Sequence, residues 1–289
     1  MSGDYQIVQL ANGAKTLFSS RYGEKMHPGL GPAAEAELLY VRQLKICERL
    51  KNHCGEFVIW DVGLGAAANA IAALRATREI SGQLRIVSFD NSSEPLEFAL
   101  KNSEALGFVS GHGSQIAELL KNHSVTFQNG KSSVIWEFHL GDFPELLNSK
   151  LAIGNCQSEI PPPHAIFFDA FSPAKNPAMW TLPVFENLFA ALGPNRPCAL
   201  TTFSRSTLIR ATLLLARFFV GVGRATGLKE ETTLAANDLN LIDEPLDSRW
   251  LARAARSDSA EPLRGPVYSR APISPETLEE LRTHPQFRG

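Results

Sequence analysis

Acidic residues at the ends of short apolar runs are the positions in this sequence whose type and spacing suit chemistry. Asp61, Asp90, Asp142 and Asp169 each close or follow such a run. Short apolar runs are typical of strands in a parallel sheet that is covered on both faces. Ligands of such sheets bind beyond the carboxyl ends of the strands. We therefore expect these four side chains to lie at the ligand-binding edge of one sheet.

A glycine turn follows the first of these strands. Gly63 and Gly65 allow the backbone to turn sharply and to approach a ligand closely. The letters GLGAAA also satisfy the dinucleotide pattern G-x-G-x-x-A, so the turn alone fits NAD, another adenosine cofactor or a purely structural turn. Asp61, two residues before Gly63, can accept hydrogen bonds around the methionine moiety of S-adenosylmethionine, which favours that cofactor.

Two further acidic residues suit an adenosine cofactor, but they do not distinguish S-adenosylmethionine from NAD. Asp90, at the end of LRIVSFD, can accept hydrogen bonds from both ribose hydroxyls, a role that serves NAD equally well. Its alternative role is to cap the helix that follows. Asp142 is placed to meet an adenine amino group, although aspartate is also common in turns.

The segment FFDAFSPAKNPAMW carries the fourth acid. Asp169 ends the fourth strand, where we expect it to face the reacting group of the cofactor. Pro173 and Pro177 fix the path of the following loop, which carries Lys175. A carboxylate at the top of a buried strand is usually paired or functional because its desolvation is costly. The alternative is a carboxylate that caps backbone amides within the loop.

Alternating strands and helices must hold these residues in place. Strand patterns include residues 57–62, 84–89 and 164–171, and helical patterns separate them. An amphipathic helix is predicted from Ala33 to about Leu50. The alternation predicts an α/β fold with a doubly wound, Rossmann-like sheet.

The end of the sheet distinguishes between families of this fold class. FVGVGRA and ETTLAAN are separated only by TGLKE, which is too short for a helical crossover, so they should pair antiparallel. A parallel sheet that ends in an antiparallel hairpin is the class I methyltransferase arrangement, whereas Rossmann dehydrogenases normally keep all strands parallel. Asn129-Gly130 predicts a second hairpin.

Three regions are expected along the chain. Residues 1–55 form an N-terminal extension, polar and turn-rich up to residue 32, followed by the cofactor-covering helix. Residues 56–237 form the methyltransferase domain. Residues 238–289 form a peripheral tail with two short helical patterns, SRWLARAAR and PETLEELR. Three prolines within residues 154–163 predict a loop.

Bulk properties exclude several classes of protein. The formal net charge of −2 over 289 residues is not that of a strongly basic nucleic-acid binder. Cysteines 47, 54, 156 and 198 form no CxxC pair, so neither a metal site nor a disulfide framework is predicted. The N-terminus lacks the features of a signal peptide, and no apolar stretch suits a membrane span. We expect a cytoplasmic protein.

Four segments together resemble the MnmC-type methyltransferases over roughly residues 15–237. They are MHPGLGPAAEAE, WDVGLGAAANA, DAFSPAKNPAMW and GRATGLKEETTLAA. The resemblance implies an enzyme that uses S-adenosylmethionine to convert the 5-aminomethyl group of the tRNA wobble uridine into 5-methylaminomethyl. It implies the tRNA anticodon loop as partner. DAFSPAKNP is the most specific of the four segments.

The resemblance also implies roles for individual residues. Asp169 matches the acid of the D-[AG]-F-x-P-x-K-N-P motif, which is thought to engage the substrate amine. Glu35 matches a glutamate near the cofactor. The matched cofactor-contacting positions are Gly63, Gly65, Asp90 and Asp142.

Two departures from the family pattern matter. Bifunctional members carry a flavin-dependent oxidase domain, and 289 residues leave no room for it, so we expect only the methylation step. A separate enzyme would then make the aminomethyl precursor. Ala178 stands where the family often has an acidic residue before Met-Trp.

Aromatic and basic residues are candidates for contact with RNA. Phe171 and Trp180 are predicted to stack on the acceptor base, and the alternative for Trp180 is simple packing. Basic residues crowd the last third of the chain, where a solvated face is the alternative to a tRNA surface. They are Arg205, Arg210, Arg224, Lys229, Arg249, Arg253 and Arg256.

Three other functions stay open at the level of sequence. Asp-Ala-Phe after the fourth strand suits a methyltransferase or aminopropyltransferase that acts on a small free amine. An NAD-dependent dehydrogenase is disfavoured by the predicted terminal hairpin. A non-catalytic protein that binds an adenosine cofactor is disfavoured by the intact Asp61, Asp90 and Asp169.

Overall fold

A computed structural model describes residues 4–150, 160–193, 195–226 and 230–288, with the Lys150 side chain excepted. Cys156, Lys229 and most of the loop predicted at 154–163 lie outside the described residues. Within them, no helix is long and apolar enough to cross a membrane.

Strands and helices alternate along most of the described chain. The strands are β1 (Tyr5–Gln9), β2 (Lys15–Ser19), β3 (Glu24–Lys25), β4 (Glu56–Val62), β5 (Gly82–Asp90), β6 (Ser124–Asn129), β7 (Ser132–Leu140), β8 (Ala165–Phe168), β9 (Ala199–Thr202), β10 (Phe219–Gly223) and β11 (Thr232–Ala236). The α-helices are α1 (Pro32–Ala36), α2 (Ile46–Lys51), α3 (Ala68–Thr77), α4 (Glu94–Lys101), α5 (Ser103–Leu106), α6 (Gly113–Asn122), α7 (Phe143–Lys150), α8 (Leu182–Ala190), α9 (Thr207–Leu215), α10 (Ser248–Ala254) and α11 (Pro275–Arg282). A π-helical segment spans Glu37–Arg42, and 3₁₀ turns span Pro177–Trp180, Leu239–Leu241 and Pro285–Phe287.

The larger sheet has the class I methyltransferase arrangement. Its strand order, in the part of the chain that the structure describes, is β10-β11-β9-β8-β4-β5-β7-β6. The five central strands β9, β8, β4, β5 and β7 are parallel. Strand β11 is antiparallel to both of its neighbours, and β6 is antiparallel to β7. Both predicted hairpins, and the predicted fold class, are confirmed.

Apolar side chains of the strands lie on both faces of this sheet. On β4, Ile59 packs in the hydrophobic cluster that includes α3, while Trp60 packs in the cluster that includes α8 and α9. On β8, Phe167 and Phe168 divide between the same two clusters. Successive side chains of a strand point to opposite faces, so these runs need apolar residues at every position.

The N-terminal region differs from the sequence expectation. Residues before 32, expected as polar loop, form a three-stranded antiparallel sheet in the order β1-β2-β3. These strands are short, and β1 has no fully buried position, so their pattern carries little apolar signal. The helix predicted from Ala33 is interrupted by the π-helical segment and by Lys45, whose φ of 52° is left-handed. Helix α6 was also not predicted.

The last region packs on the sheet. Helices α10 and α11 confirm the two predicted helical patterns, and they bury Trp250 and Leu281 in the core. The Gln286 side chain hydrogen-bonds both backbone groups of Val220, the amide nitrogen and the carbonyl oxygen, at 2.7 Å each. The division of the chain at residue 238 stays a prediction.

Candidate active site

A cavity of about 550 Å³ lies at the carboxyl ends of the central strands. Its wall combines the glycine turn after β4, the ends of β5 and β7, the loop after β8 and the N-terminal segment from Tyr22 to Gly29. Its volume is within the usual range of sites for small-molecule ligands. The predicted site residues that line it are Glu35, Gly63, Gly65, Asp90, Asp142, Asp169 and Phe171.

The glycine turn is shaped by positive φ angles and by a close approach to the opposite loop. Gly63 has a φ of 93° and Gly65 a φ of 51°. A Cβ atom at Gly63 would lie 2.7 Å from the backbone oxygen of Asp169. Side chains are therefore excluded at Gly63 both by its backbone conformation and by the loop that it contacts.

Asp90 ties the end of β5 to this turn. Its Oδ2 accepts a hydrogen bond of 2.8 Å from the Gly65 N–H, and its Oδ1 accepts one of 3.2 Å from the Ser92 N–H. Burial raises the pKa of Asp90, and these N–H donors oppose the rise. Each carboxylate oxygen retains a second lone pair, so Asp90 can also accept from ligand hydroxyls.

Asp142 both lines the cavity and begins a helix. Its Oδ1 accepts a hydrogen bond of 3.3 Å from the Glu145 N–H in the first turn of α7. Asp142 therefore has the structural turn role, and it also lies where it could contact a ligand.

Asp61 lies beneath the turn and is not part of the cavity wall. It is fully buried, and its Oδ2 accepts a hydrogen bond of 3.0 Å from the Ser88 hydroxyl. Its Oδ1 has no hydrogen-bond partner among the described residues. Burial raises the pKa of Asp61 to about 8, and the charges of Asp169 and Asp90 add to the rise. Asp61 is not among the residues that line the cavity, and its contact with the methionine moiety stays a prediction.

Asp169 faces the cavity and is held by a residue that the sequence reasoning missed. The side-chain amide of Asn69, at the start of α3, donates a hydrogen bond of 2.8 Å to Asp169 Oδ2. Asn69 is 2% exposed, and its Oδ1 has no partner among the described residues. The available signal was an amide side chain inside an alanine-rich helix that directly follows the glycine turn.

His27 is the second residue that was missed. Its Nε2 lies 3.6 Å from Asp169 Oδ2, and its Nδ1 lies 3.8 Å from Glu35 Oε2. Glu35 in turn accepts a hydrogen bond of 2.7 Å from the Leu30 N–H. Burial raises the pKa of Glu35, while His27 and the N–H donors of Leu30 and Gly29 oppose the rise. The segment MHPGLG contains His27, but the distance along the chain between His27 and Asp169 gives no sign that the two side chains are close.

The loop after β8 is fastened to the N-terminal sheet. Phe171 stacks on Tyr22 with ring centroids 4.0 Å apart and an interplanar angle of 18°. The Ser172 hydroxyl donates a hydrogen bond of 2.5 Å to Glu24. Lys175 is exposed, with its ammonium near Gly23 at the cavity rim.

Trp180 does not reach the cavity, which corrects the prediction that it stacks on a substrate base. It is fully buried, and its indole N–H donates a hydrogen bond of 2.8 Å to the Phe171 carbonyl oxygen. Its ring packs edge-on against Phe168 at 5.1 Å between centroids. Trp180 therefore supports the loop from below, because β8 and the 3₁₀ turn enclose it.

Comparisons with known proteins agree with this architecture. A family model described as S-adenosyl-L-methionine-dependent methyltransferase matches residues 125–238. The crystal structure of MnmC2 from Aquifex aeolicus superimposes with a TM-score of 0.67 at 24% identity, and the match covers 98% of this chain and 85% of that one. The tRNA 5-methylaminomethyl-2-thiouridine biosynthesis bifunctional protein MnmC of Aeromonas hydrophila is 26% identical over 262 residues. The chain is similar to the methyltransferase part of the MnmC proteins.

The match to the curated MnmC proteins covers only part of their length. It spans 84% of this chain but 37% of the Aeromonas hydrophila protein. The MnmC protein of Methylibium petroleiphilum is 25% identical, with 83% of this chain and 36% of that protein covered. The predicted resemblance is confirmed at the level of an S-adenosylmethionine-dependent methyltransferase domain.

The lining of the cavity suits S-adenosylmethionine, the cofactor of the methyltransferase family whose model matches residues 125–238. Gly63 and Gly65 line the cavity without side chains, and Asp90 has free lone pairs for hydroxyl donors. Carboxyl groups from Glu35, Asp90 and Asp169 line the wall, and among the described residues Lys25 is the only lysine or arginine there. A cavity with this charge favours cationic ligands, such as a sulfonium and an ammonium.

The predicted basic surface is only partly realised in this MnmC-type domain. Arg210 is 1% exposed and corrects the prediction, because it donates hydrogen bonds to the Thr232 carbonyl at 2.8 Å and to Glu231 at 3.2 Å inside the fold. Its helix, α9, is buried on nearly all sides, so a charged residue there needs internal partners. Other members of the set are exposed, namely Arg205, Arg224, Arg249, Arg253 and Arg256.

Proposed function

We propose that this chain N-methylates the 5-aminomethyl group of the tRNA wobble uridine and gives 5-methylaminomethyluridine. The observation that carries the proposal is the placement of Asp169. Asp169 lines the cavity, its backbone lies against the glycine turn, and its carboxylate is oriented by Asn69. The printed names of the curated relatives, which concern tRNA 5-methylaminomethyl-2-thiouridine biosynthesis, support tRNA as the substrate.

In the proposed reaction, some residues of the cavity bind the cofactor and Asp169 orients the substrate amine. S-adenosylmethionine supplies a methyl group on a sulfonium when it is bound. Gly63, Gly65 and Asp90 hold the adenosine side, with Asp142 and Glu35 at neighbouring positions of the wall. Asp169 accepts a hydrogen bond from the substrate amine, aims its lone pair and stabilises the positive charge that grows on nitrogen. Positioning of this kind is worth about 7–11 kcal/mol in favourable cases.

The acceptor base reaches the cavity by leaving the anticodon stack. Unstacking costs about a few kcal/mol, which stacking on aromatic side chains offsets. Phe171 and its partner Tyr22 form such an aromatic pair at the mouth, and Lys175 lies close by for contact with phosphate. We propose these three residues as the substrate side of the site.

A tRNA substrate also needs a surface for its backbone. Arg249, Arg253 and Arg256 are exposed on or just after α10, and we propose that they contact phosphates. Replacing all three by alanine should weaken tRNA binding and reduce the slope of log affinity against log salt by about 0.9 per lost phosphate contact. An unchanged slope would leave these arginines as a solvated face.

The proposed division of the chain follows from these roles. Residues 1–55 cover the cofactor, residues 56–237 carry the transferase, and residues 238–289 support the last strands and tRNA. We also propose a cytoplasmic location, and the methylation step consumes an aminomethyl precursor that another enzyme activity must supply.

An acceptor competition tests the proposal. Purified protein with methyl-labelled S-adenosylmethionine is offered tRNA that carries 5-aminomethyluridine, tRNA without it, or a free polyamine. Label should enter only the first, at the wobble nucleoside. Label in the polyamine alone would establish the small-amine transferase instead, since the acidic cavity also suits such a substrate. No transfer, with cofactor bound, would favour a non-catalytic protein.

A further inference from the structure

The proposed reaction leaves one proton unassigned. An alkylammonium has an ordinary pKa of about 10, so roughly one molecule in a thousand is the free amine at pH 7. Methyl transfer needs the free amine, because the nitrogen attacks with its lone pair. A carboxylate, with an ordinary pKa near 4, is a poor acceptor for this proton. An imidazole beside the amine, with an ordinary pKa near 6.5, is a better acceptor than a carboxylate.

His27 is the imidazole at that position. It lines the cavity with its side chain 11% exposed, and Nε2 lies 3.6 Å from the carboxylate that is proposed to hold the amine. Its φ of 52° places the residue in the left-handed region, where histidine is among the more tolerated residues. The neighbouring backbone fixes it, since the Met26 N–H donates to the Leu17 carbonyl at 2.8 Å and Met26 accepts from the Thr16 hydroxyl.

Carboxyl groups on two sides suit this imidazole to receive a positive charge. Glu35 faces Nδ1 from α1, and Asp169 faces Nε2 from the loop after β8. Tyr40, in the π-helical segment, is buried near Asp169, and burial followed by the Asp169 charge raises its pKa. Glu24 and Lys25 precede His27 on its own segment and also line the cavity.

We propose that His27 is the catalytic base that removes a proton from the substrate ammonium before methyl transfer, an inference that rests on the proposed function. With Nδ1–H towards Glu35, the lone pair of Nε2 takes the proton, and the N–H electron pair remains on the amine. That pair then forms the bond to the methyl carbon, while the carbon–sulfur electrons return to sulfur. The product is a secondary ammonium, and the imidazolium releases its proton to solvent. Glu35 is a positioning residue that orients the imidazole.

A pH series on a matched pair of variants tests this role. His27→Asn removes the base but retains a residue that tolerates a left-handed backbone. His123→Asn is the control, because His123 has a φ of 59°, is exposed and lies at the end of α6. Single-turnover methylation of 5-aminomethyluridine tRNA is measured from pH 6 to 10, with cofactor-product binding as the check on folding.

The expected result is a defect that depends on pH. His27→Asn should be slower than wild type by about 10²–10⁴-fold at pH 7, the usual range for a general base. The defect should shrink by about tenfold per pH unit as solvent supplies the free amine, while His123→Asn matches wild type. A defect of constant size at every pH, or no defect, would overturn the proposal. A wild-type protein inactive on this tRNA would instead overturn the proposed function.

A second variant keeps the test decisive if His27→Asn does not fold. Glu35→Gln retains an acceptor oxygen for the Gly29 and Leu30 N–H groups but removes the negative charge beside Nδ1. Loss of that charge disfavours the imidazolium, so the acid limb of the pH–rate profile should move to lower pH. An acid limb at the wild-type position would contradict proton transfer to His27.

Discussion

The Asn69 amide donates a 2.8 Å hydrogen bond to Asp169 Oδ2, which joins the helix after the glycine turn to the loop that faces it. The two halves of the site thereby share one buried contact. In the proposed function, one half holds the adenosine side of the cofactor and the other holds the acceptor. A change in Asn69 should consequently alter the position of Asp169 without touching either ligand.

Asn69→Ala should lower kcat by about 10- to 100-fold, because a hydrogen bond to a charged group contributes about 1.5–3 kcal/mol. Affinity for the cofactor product should stay near that of wild type, since Asn69 does not line the cavity. Asn122→Ala, on the exposed end of α6, is the control. Steady-state kinetics with isothermal calorimetry separate the two effects. A wild-type kcat in Asn69→Ala would show that Asp169 needs no such support.

Gly63→Ala should destabilise the protein more than Gly55→Ala, although the two glycines have φ angles of 93° and 92°. Both variants share a backbone cost of about 1–2 kcal/mol. A Cβ at Gly63 also meets the Asp169 backbone, whereas a Cβ at Gly55 meets nothing within 4 Å. We expect a further loss of about 1–3 kcal/mol at Gly63 from this overlap. Equal free energies of unfolding in urea would contradict the close approach of turn and loop.

Asp61→Asn should stabilise the protein increasingly as the pH rises. The folded pKa of Asp61 is raised from 3.8 to about 8, so the folded state retains a proton that the unfolded state loses. The contribution of this group to the free energy of unfolding is therefore complete below about pH 4. It decreases as the pH rises to about 8, by at most about 1.4 kcal/mol per pH unit. Asparagine keeps the shape and has no proton to lose.

Thermal unfolding of both proteins from pH 5 to 9 measures the effect. The difference between the two midpoints is the informative quantity, because Glu35 and Asp90 titrate in both proteins. The midpoint of Asp61→Asn should exceed that of wild type by an amount that grows across this range. A difference that does not change with pH would mean that Asp61 is ionised in the fold.

The sequence predicted the sheet and the glycine turn because both depend on local pattern. Apolar runs such as 57–62 are buried wherever they occur, and Gly63 signals a turn by its lack of a side chain. The N-terminal sheet was missed because its strands are short, and because β1 and β3 have no buried position that would give an apolar signal.

The residues placed wrongly or missed all depend on tertiary contacts. His27 and Asn69 meet at Asp169 from segments about 140 and 100 residues away in the chain. Trp180 and Arg210 look the same in sequence whether they face solvent or the core, and the fold buries both. The spacing of residues along one strand or helix carries no information about contacts with distant segments of the chain.

Wobble nucleosides from cells without this gene test most directly whether the chain methylates tRNA through Asp169. Mass spectrometry should show 5-aminomethyluridine, thiolated or not, in place of its methylated form. A plasmid with the wild-type gene should restore the methylated form, while Asp169→Ala, which should lower the rate by about 10²–10⁴-fold, should restore little. Asp169→Asn, which keeps an acceptor without the charge, should recover the methylated form only if aiming the lone pair dominates. Methylated nucleoside at the wild-type level in cells without the gene, or in cells with Asp169→Ala, would contradict this function or this role.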